Sequence, residues 1–332
     1  MKTIFAYLIV WFSLMMSLTT GQTQTKITGF FDVIHSYNFT MNENSGFRIN
    51  QFELDLSFSY CDYISMAAAI AHNNEENKVE AALAYLHYNF FSKKSLIHPH
   101  KEESMPHTGL LIGKFDIPFG IDYLSFASPD RPIISQPIII EKTIGYWTDI
   151  GVNFHIVNKK LCLSLSAVNG FNNGINIGGN FKISSIPFFQ IGLGHRSDFV
   201  SLSNRRNWIN TLFLISEQKN WEIKSEYIWT QGLLDGAQDT LRTPGNHKGF
   251  YLQTVFQLKD AIRLPFFLTL RYGFWRSDMD SDQSGKNDQI NRYTQGLGYW
   301  IHDNCSVRME IRTDQFENHH HHNIVMQMVI NF

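Results

Sequence analysis

Along most of the chain apolar and polar residues alternate one for one. In 51–60, Phe52, Leu54, Leu56, Phe58 and Tyr60 oppose Glu53, Asp55, Ser57 and Ser59, which is period two without exception. A helix would scatter these side chains around its circumference. The same alternation sets Ile150, Val152, Phe154 and Ile156 against Gly151, Asn153 and His155, and Leu161, Leu163, Leu165 and Ala167 against Cys162, Ser164 and Ser166. Trp221, Ile223, Tyr227 and Trp229 oppose Glu222, Lys224 and Glu226, and Phe266, Leu268, Leu270, Tyr272 and Phe274 oppose Thr269, Arg271 and Gly273. Near the end, Val307, Met309 and Ile311 oppose Arg308, Glu310 and Arg312. Segments of about ten residues with one apolar face are what a strand needs when hydrocarbon lies on one side and water on the other. The polar face carries charge repeatedly, as a wetted wall would and a sandwich core would not.

Counted along the chain, the alternation predicts roughly sixteen strands, an even number in the range of bacterial outer-membrane barrels. They fall near 26–39, 47–60, 63–72, 79–90, 109–116, 148–157, 161–169, 176–184, 188–196, 207–216, 221–230, 248–258, 265–275, 291–301, 305–315 and 323–332. Connections at 61–62, 158–160, 185–187, 217–220, 259–264 and 302–304 are short and occupy every second junction, whereas 197–206, 231–247 and 276–290 are longer and polar. Short turns at one rim and long loops at the other are the usual distribution in such barrels. The stretch 91–108, with Lys93, Lys94, Lys101, Glu102, Glu103 and three histidines, breaks the rule and reads as an inserted periplasmic excursion. The last strand places Ile324, Met326, Met328 and Ile330 outward and closes on Phe332, an ending that supports an outer-membrane barrel.

Composition narrows the class. The 332 residues are 43% hydrophobic, 17% charged and 14% aromatic, with a mean hydropathy of -0.19, which excludes both disorder and a helical membrane bundle. Lys and Arg number 28 against 30 Asp and Glu, so no broad cationic field exists to hold nucleic acid. Residues 1–21 read as a signal peptide, with Lys2 ahead of the apolar run from Ile4 to Leu18 and small or polar residues after it; 22–332 are then the barrel. No later run is long and apolar enough for a spanning helix, so any crossing of a bilayer must be made by strands. Cys61, Cys162 and Cys305 are too few and too widely spaced for a disulfide scaffold and read as free thiols.

Three stretches resemble the phosphate-selective porins O and P and their porin-like relatives. Leu111 to Gly120 (LIGKFDIPFG) looks like that family's strand leading into a Pro-Phe-Gly turn and a long loop. Trp147 to Phe154, with Asp149, Ile150 and Gly151, looks like the strand after the loop, and Leu163 to Phe171, ending in Asn169, Gly170 and Phe171, is similar to a strand with an Asn-Gly turn. The resemblance implies an all-β fold, a transmembrane antiparallel barrel of sixteen strands with an inward-folded long third loop, commonly a homotrimer.

A barrel of roughly sixteen strands has a backbone diameter of roughly 30 Å, wide enough for water, so selection must come from a constriction. The longest loop, 118–146, mixes Ile and Pro with Asp122, Asp130, Arg131, Glu141 and Lys142, a composition suited to packing inside the lumen. The expected lumen wall carries Lys114, Asp116, Lys182, Arg196, Lys224, Glu226, Arg271, Arg308 and Arg312, together with Glu53, Asp55, Glu222 and Glu310. The two signs roughly cancel, whereas a phosphate route would want a one-sided ladder of Arg and Lys. Asp278, Asp280 and Asp282 have the spacing of a calcium loop, but Gln283 and Gln289 stand where Gly and Glu are required, and the segment reads as a solvated acidic loop. The run His319 to His322 reads as native loop sequence, and no metal site is assigned to it or to the acidic loop. No hydrolase, zinc-protease or phosphate-loop motif is present, so neither catalytic residues nor a cofactor are expected. The expected partners are outer-membrane lipid and small hydrophilic solutes or ions, among them anions such as phosphate. The leading reading is a porin for passive diffusion; the alternative is a barrel that serves as a surface binding or adhesion platform without conductance.

Overall fold

The computed structural model describes residues 24–40, 43–73, 78–91, 106–125, 127–170, 174–186, 188–200, 207–232, 246–259, 263–278, 288–317 and 319–332. The expected signal peptide, most of the 91–108 insertion (92–105), and Asp280 and Asp282 of the acidic loop lie outside these residues.

Each segment of alternating sequence forms a strand: β1 (Gln24–Asn38), β2 (Glu43–Cys61), β3 (Ile64–Asn73), β4 (Lys78–Asn89), β5 (His107–Asp116), β6 (Thr148–Val157), β7 (Leu161–Val168) and β8 (Ile175–Ile186). The second half adds β9 (Phe189–Val200), β10 (Trp208–Gln218), β11 (Trp221–Gln231), β12 (Asn246–Gln257), β13 (Phe266–Asp278), β14 (Asp288–His302), β15 (Cys305–Gln315) and β16 (His320–Asn331). Consecutive strands pair antiparallel, and β1 closes on β16 from Phe30↔Asn331 to Asn38↔Asn323, so the sheet has no edge. Several strands outrun their expected limits at the long-loop rim, as at β2, β9 and β14. There the ladder continues beyond the apolar band, where the outward residues no longer need to be hydrophobic and the alternation that marks a strand in sequence fades.

Faces follow the period. Outward stand Phe52, Leu165, Leu212, Tyr227, Leu270 and Met326, all exposed. Inward stand Ser57, Ser164, Thr211, Glu226, Arg271 and Gln327, all buried. Among the described residues no helix is long and apolar enough to cross a membrane, so the strands alone must carry the apolar band. The architecture is a transmembrane β-barrel of the outer-membrane type.

The inner face is not uniformly wet. On β10 both faces are apolar: Leu212 and Leu214 point out, while Ile209, Phe213 and Ile215 point into the lumen and are buried. They join Ile228, Tyr251 and Trp275 of the wall in one hydrophobic cluster with Phe119, Ile121, Ile138, Ile139, Ile140 and Ile144 of the β5–β6 loop. The inward face is apolar here because protein, and not water, covers this sector.

Candidate constriction and its anchoring

The loop leaves β5 at Ile117 and returns at Trp147, the amide of Ile117 donating to the Trp147 carbonyl at 2.9 Å. Between them lie two short 3-10 turns, Asp122–Ser125 and Ser128–Asp130, and one helical turn, α1 (Ile138–Lys142). The described part of the loop is tied to the inner wall at several points along its length.

Its entry is fixed at Gly120, where φ is +67 and a Cβ would lie 1.8 Å from Glu226 Oε1. Only glycine fits there. The Gly120 carbonyl accepts from Asn180 Nδ2 at 3.0 Å. Glu226 is itself held by the hydroxyls of Thr211 at 2.7 Å and Tyr251 at 3.4 Å. Burial in this corner pushes the Asp122 carboxyl above its ordinary value, against the opposing pull of Lys224 and Arg271.

Beyond the entry the loop crosses to the closure of the barrel. Asp32 on β1 accepts from Ser128 Oγ at 2.9 Å and from Gln327 Nε2 on β16. Three wall arginines then clamp the loop, two by its backbone and one by a side chain. Arg308 donates to the carbonyls of Ser128 and Pro129 at 2.6 and 3.3 Å, and Arg271 to those of Ser135 and Gln136 at 2.9 and 3.0 Å. Arg292 reaches Glu141 at 2.5 Å while holding Asp314 with a fork at 2.6 and 2.9 Å. Such bidentate, charge-assisted contacts are the strongest hydrogen bonds available to a side chain. Burial alone would raise the Glu141 carboxyl, but the adjacent Arg292 more than reverses this and holds it below the ordinary value.

The apolar side of α1 fills a recess made by missing side chains. A Cβ on Gly273 would come within 2.9 Å of Ile138, and one on Gly249 within 3.0 Å of Ile139. Both glycines face inward, on neighbouring strands. Ile138, Ile139 and Ile140 are completely buried, each worth about 1.5–3 kcal/mol of apolar transfer.

Beneath the loop, towards the short-turn rim, a cleft of about 350 Å³ remains between Pro129, Asp130, Arg131 and Pro132 on one side and Glu217, Glu222, Lys224, Trp300 and Arg308 on the other. Its charges are mixed, and Lys224 pairs with Glu222 at 3.0 Å.

The residues expected on the loop thus separate by role. Asp130 is exposed along the cleft, and Lys142 is half-buried. Arg131 is buried, donates to the Ile134 carbonyl at 3.0 Å and stacks over Tyr146, so it shapes the loop. Glu141 is likewise bound to the wall, and Asp122 lies against Tyr251 of β12. Among the expected wall residues, Lys182, Arg196, Lys224, Glu226, Arg271, Arg308 and Arg312 face the lumen. Arg196 is fully buried, bonded to Asn176 at 2.8 Å and Ser166 at 2.7 Å beneath the Trp147 ring.

Lys114 and Asp116 are a correction. They share the parity of exposed Ile112 and stand on the outward face, with Lys114 Nζ donating to the Ala81 carbonyl at 2.6 Å. The inward positions of β5 belong to Leu111 and Phe115, which the loop covers, and the two charges sit at the loop end of the strand, where the outward face meets the polar boundary.

Arg292, Asp314, Asp32, Ser128 and the glycine recess join the expected residues at the site. The available signal was the even-numbered run Ile290, Arg292, Thr294, Gly296 on β14, which alternates with Tyr293, Gln295 and Leu297. Three buried histidines, His87, His107 and His155, also gather on the inner face of β4–β6, with ring centroids 5.1 and 5.3 Å apart. Among the described residues no group of three or more His, Cys, Asp or Glu is arranged to hold a metal ion. In the His319–His322 run, His319 stacks on Phe316 with centroids 4.4 Å apart. Asp278, first of the acidic series, pairs with Lys248 and Arg276 at 3.3 and 2.9 Å. None of the three cysteines is in a disulfide.

The fold is similar to solved outer-membrane barrels. An anion-selective porin from Comamonas acidovorans superposes with a TM-score of 0.66 at 8% identity, covering 94% of this chain and 100% of that one. The outer-membrane channel DcaP of Acinetobacter baumannii gives 0.65 at 11% identity, covering 95% and 99%. The trimer form of OmpT, an outer membrane protein of Vibrio cholerae, gives 0.63 at 8%, covering 94% and 100%. No family model and no curated protein sequence matches the chain.

Proposed function

We propose that this chain is an outer-membrane porin, related to the phosphate-selective O and P type, through which small hydrophilic solutes and ions diffuse passively. The observation that carries the reading is the 117–147 loop, clamped across the bore by Arg271, Arg292 and Arg308 above a charged cleft. A loop of that kind divides a wide barrel into a narrow passage in which fixed charges act at close range. The solved barrels of similar fold support a channel, and the trimeric one supports a homotrimer. The export leader expected at 1–21 fits the same destination.

Phosphate preference finds little support in the wall, since the guanidiniums that could form a ladder are engaged by loop carbonyls and carboxylates. Weak ion selectivity set by the cleft is the better reading. A second reading, a barrel without conductance that acts through its surface loops, is favoured by the apolar packing of loop against wall.

Planar-bilayer recording separates the two: steps of ohmic conductance are expected, and their absence from correctly folded protein would leave the surface platform. In a salt gradient, Asp130→Lys is expected to move the reversal potential towards the anion, because Asp130 is the exposed loop charge at the cleft. An unchanged potential would remove the cleft from the conducting path.

A further inference from the structure

On the outward face, at the long-loop rim, β10–β13 carry a second concavity of about 360 Å³, within the size range of small-molecule sites. Trp208, Tyr227 and Trp229 line it, with Lys248 and Asp278 on the neighbouring strands; Arg276 stands beside them in register with Lys248. All six have outward parity: the inward positions of these strands are Ile209, Ile228, Tyr251 and Trp275, which are buried. These six side chains therefore face outward towards lipid, while Thr230 and His247, at inward positions of β11 and β12, close the concavity from behind.

Its chemistry is unusual for that face. A cation directed at hydrocarbon is costly at mid-depth and nearly free only at the headgroup level, where aromatic side chains also collect. Two cations and one carboxylate leave the cluster at +1. Asp278 takes one N–H from each cation, Lys248 at 3.3 Å and Arg276 at 2.9 Å, and together the ammonium and guanidinium carry more donors than one carboxylate can use. Their side chains are 44% and 36% exposed, so these donors are accessible from the membrane boundary. Tyr227 and Trp229 sit with ring centroids 5.4 Å apart, forming an aromatic surface against which a sugar ring can lie.

We propose that this rim groove binds the headgroup of a phosphorylated glycolipid in the adjacent leaflet, with Lys248 and Arg276 taking the phosphate and Tyr227 and Trp229 supporting the sugar. The site is independent of solute passage. Nothing in it requires the channel to conduct.

The test uses the full chain in detergent, titrated with a diphosphorylated, acylated glucosamine disaccharide, with bound lipid counted by native mass spectrometry. One retained lipid per barrel is expected. Retention should fall roughly thirtyfold in the double variant Lys248→Gln, Arg276→Gln, and comparably for the same lipid stripped of phosphate. Trp229→Ala should weaken retention while leaving the charge cluster intact. Heat-modifiable mobility on gels verifies that each variant is folded. Equal retention by the double variant, equal retention of the dephosphorylated lipid, or displacement by millimolar inorganic phosphate would each overturn the assignment.

Discussion

Arg292→Met is expected to cost about 3–5 kcal/mol of barrel stability and to raise single-channel conductance several-fold. The guanidinium is the sole described cation that grips loop and wall together through carboxylates, with Glu141 on α1 at 2.5 Å and Asp314 on β15 at 2.6 Å. Its side chain is only 4% exposed, and Asp314 is 9% exposed. Removing the arginine leaves the buried Asp314 with only the longer contact from Arg312 at 3.7 Å and takes from Glu141 its wall partner, a larger penalty than loss of the pair alone. The loop then keeps its apolar seat but loses the tether beside it. Arg292→Lys retains charge without the fork and should fall between wild type and Arg292→Met. Guanidinium titration in detergent micelles reads the stability. A midpoint unchanged in Arg292→Met would mean that the loop does not need this clamp.

Gly120→Val is the second large effect. A β-branched residue resists the φ of +67, at about 1–3 kcal/mol, and its Cβ would collide with Glu226 Oε1. Relief requires either the loop entry to lift away from Asn180 or Glu226 to leave Thr211. Gly46→Val is the matched control: φ there is +64, but nothing lies within 4 Å of the added Cβ. The two variants share the backbone strain and differ in the clash, so Gly120→Val should denature well below Gly46→Val and conduct with larger, noisier steps. Equal behaviour of the two would place the loop entry away from Glu226.

The strand order was legible because hydrocarbon imposes a strict demand on every second side chain. Residues 51–60 show it without interruption, 149–157 and 266–274 show it with one apolar inward residue each, Val157 and Phe267, and all three form strands with the expected faces. The inward loop was legible from apolar residues mixed with charge between Pro118 and Tyr146. What the sequence could not convey is register. Gly249 and Gly273 are unremarkable apart, and their common recess exists only once β12 and β13 are aligned. The same holds for Arg292, whose partners lie 151 and 22 residues away along the chain. Lys114 and Asp116 differ for another reason: charge marks the wetted face along the middle of a strand, whereas at its end the outward side is polar as well.

The most direct measurement is single-channel conductance in planar bilayers of the wild-type barrel beside a variant in which residues 121–145 are replaced by a short Gly-Ser linker, both verified as folded by heat-modifiable mobility. If the loop occupies the bore and sets its size, the wild type conducts in small steps and the shortened barrel in steps several-fold larger. Equal conductance in the two would show that the passage never ran beside this loop.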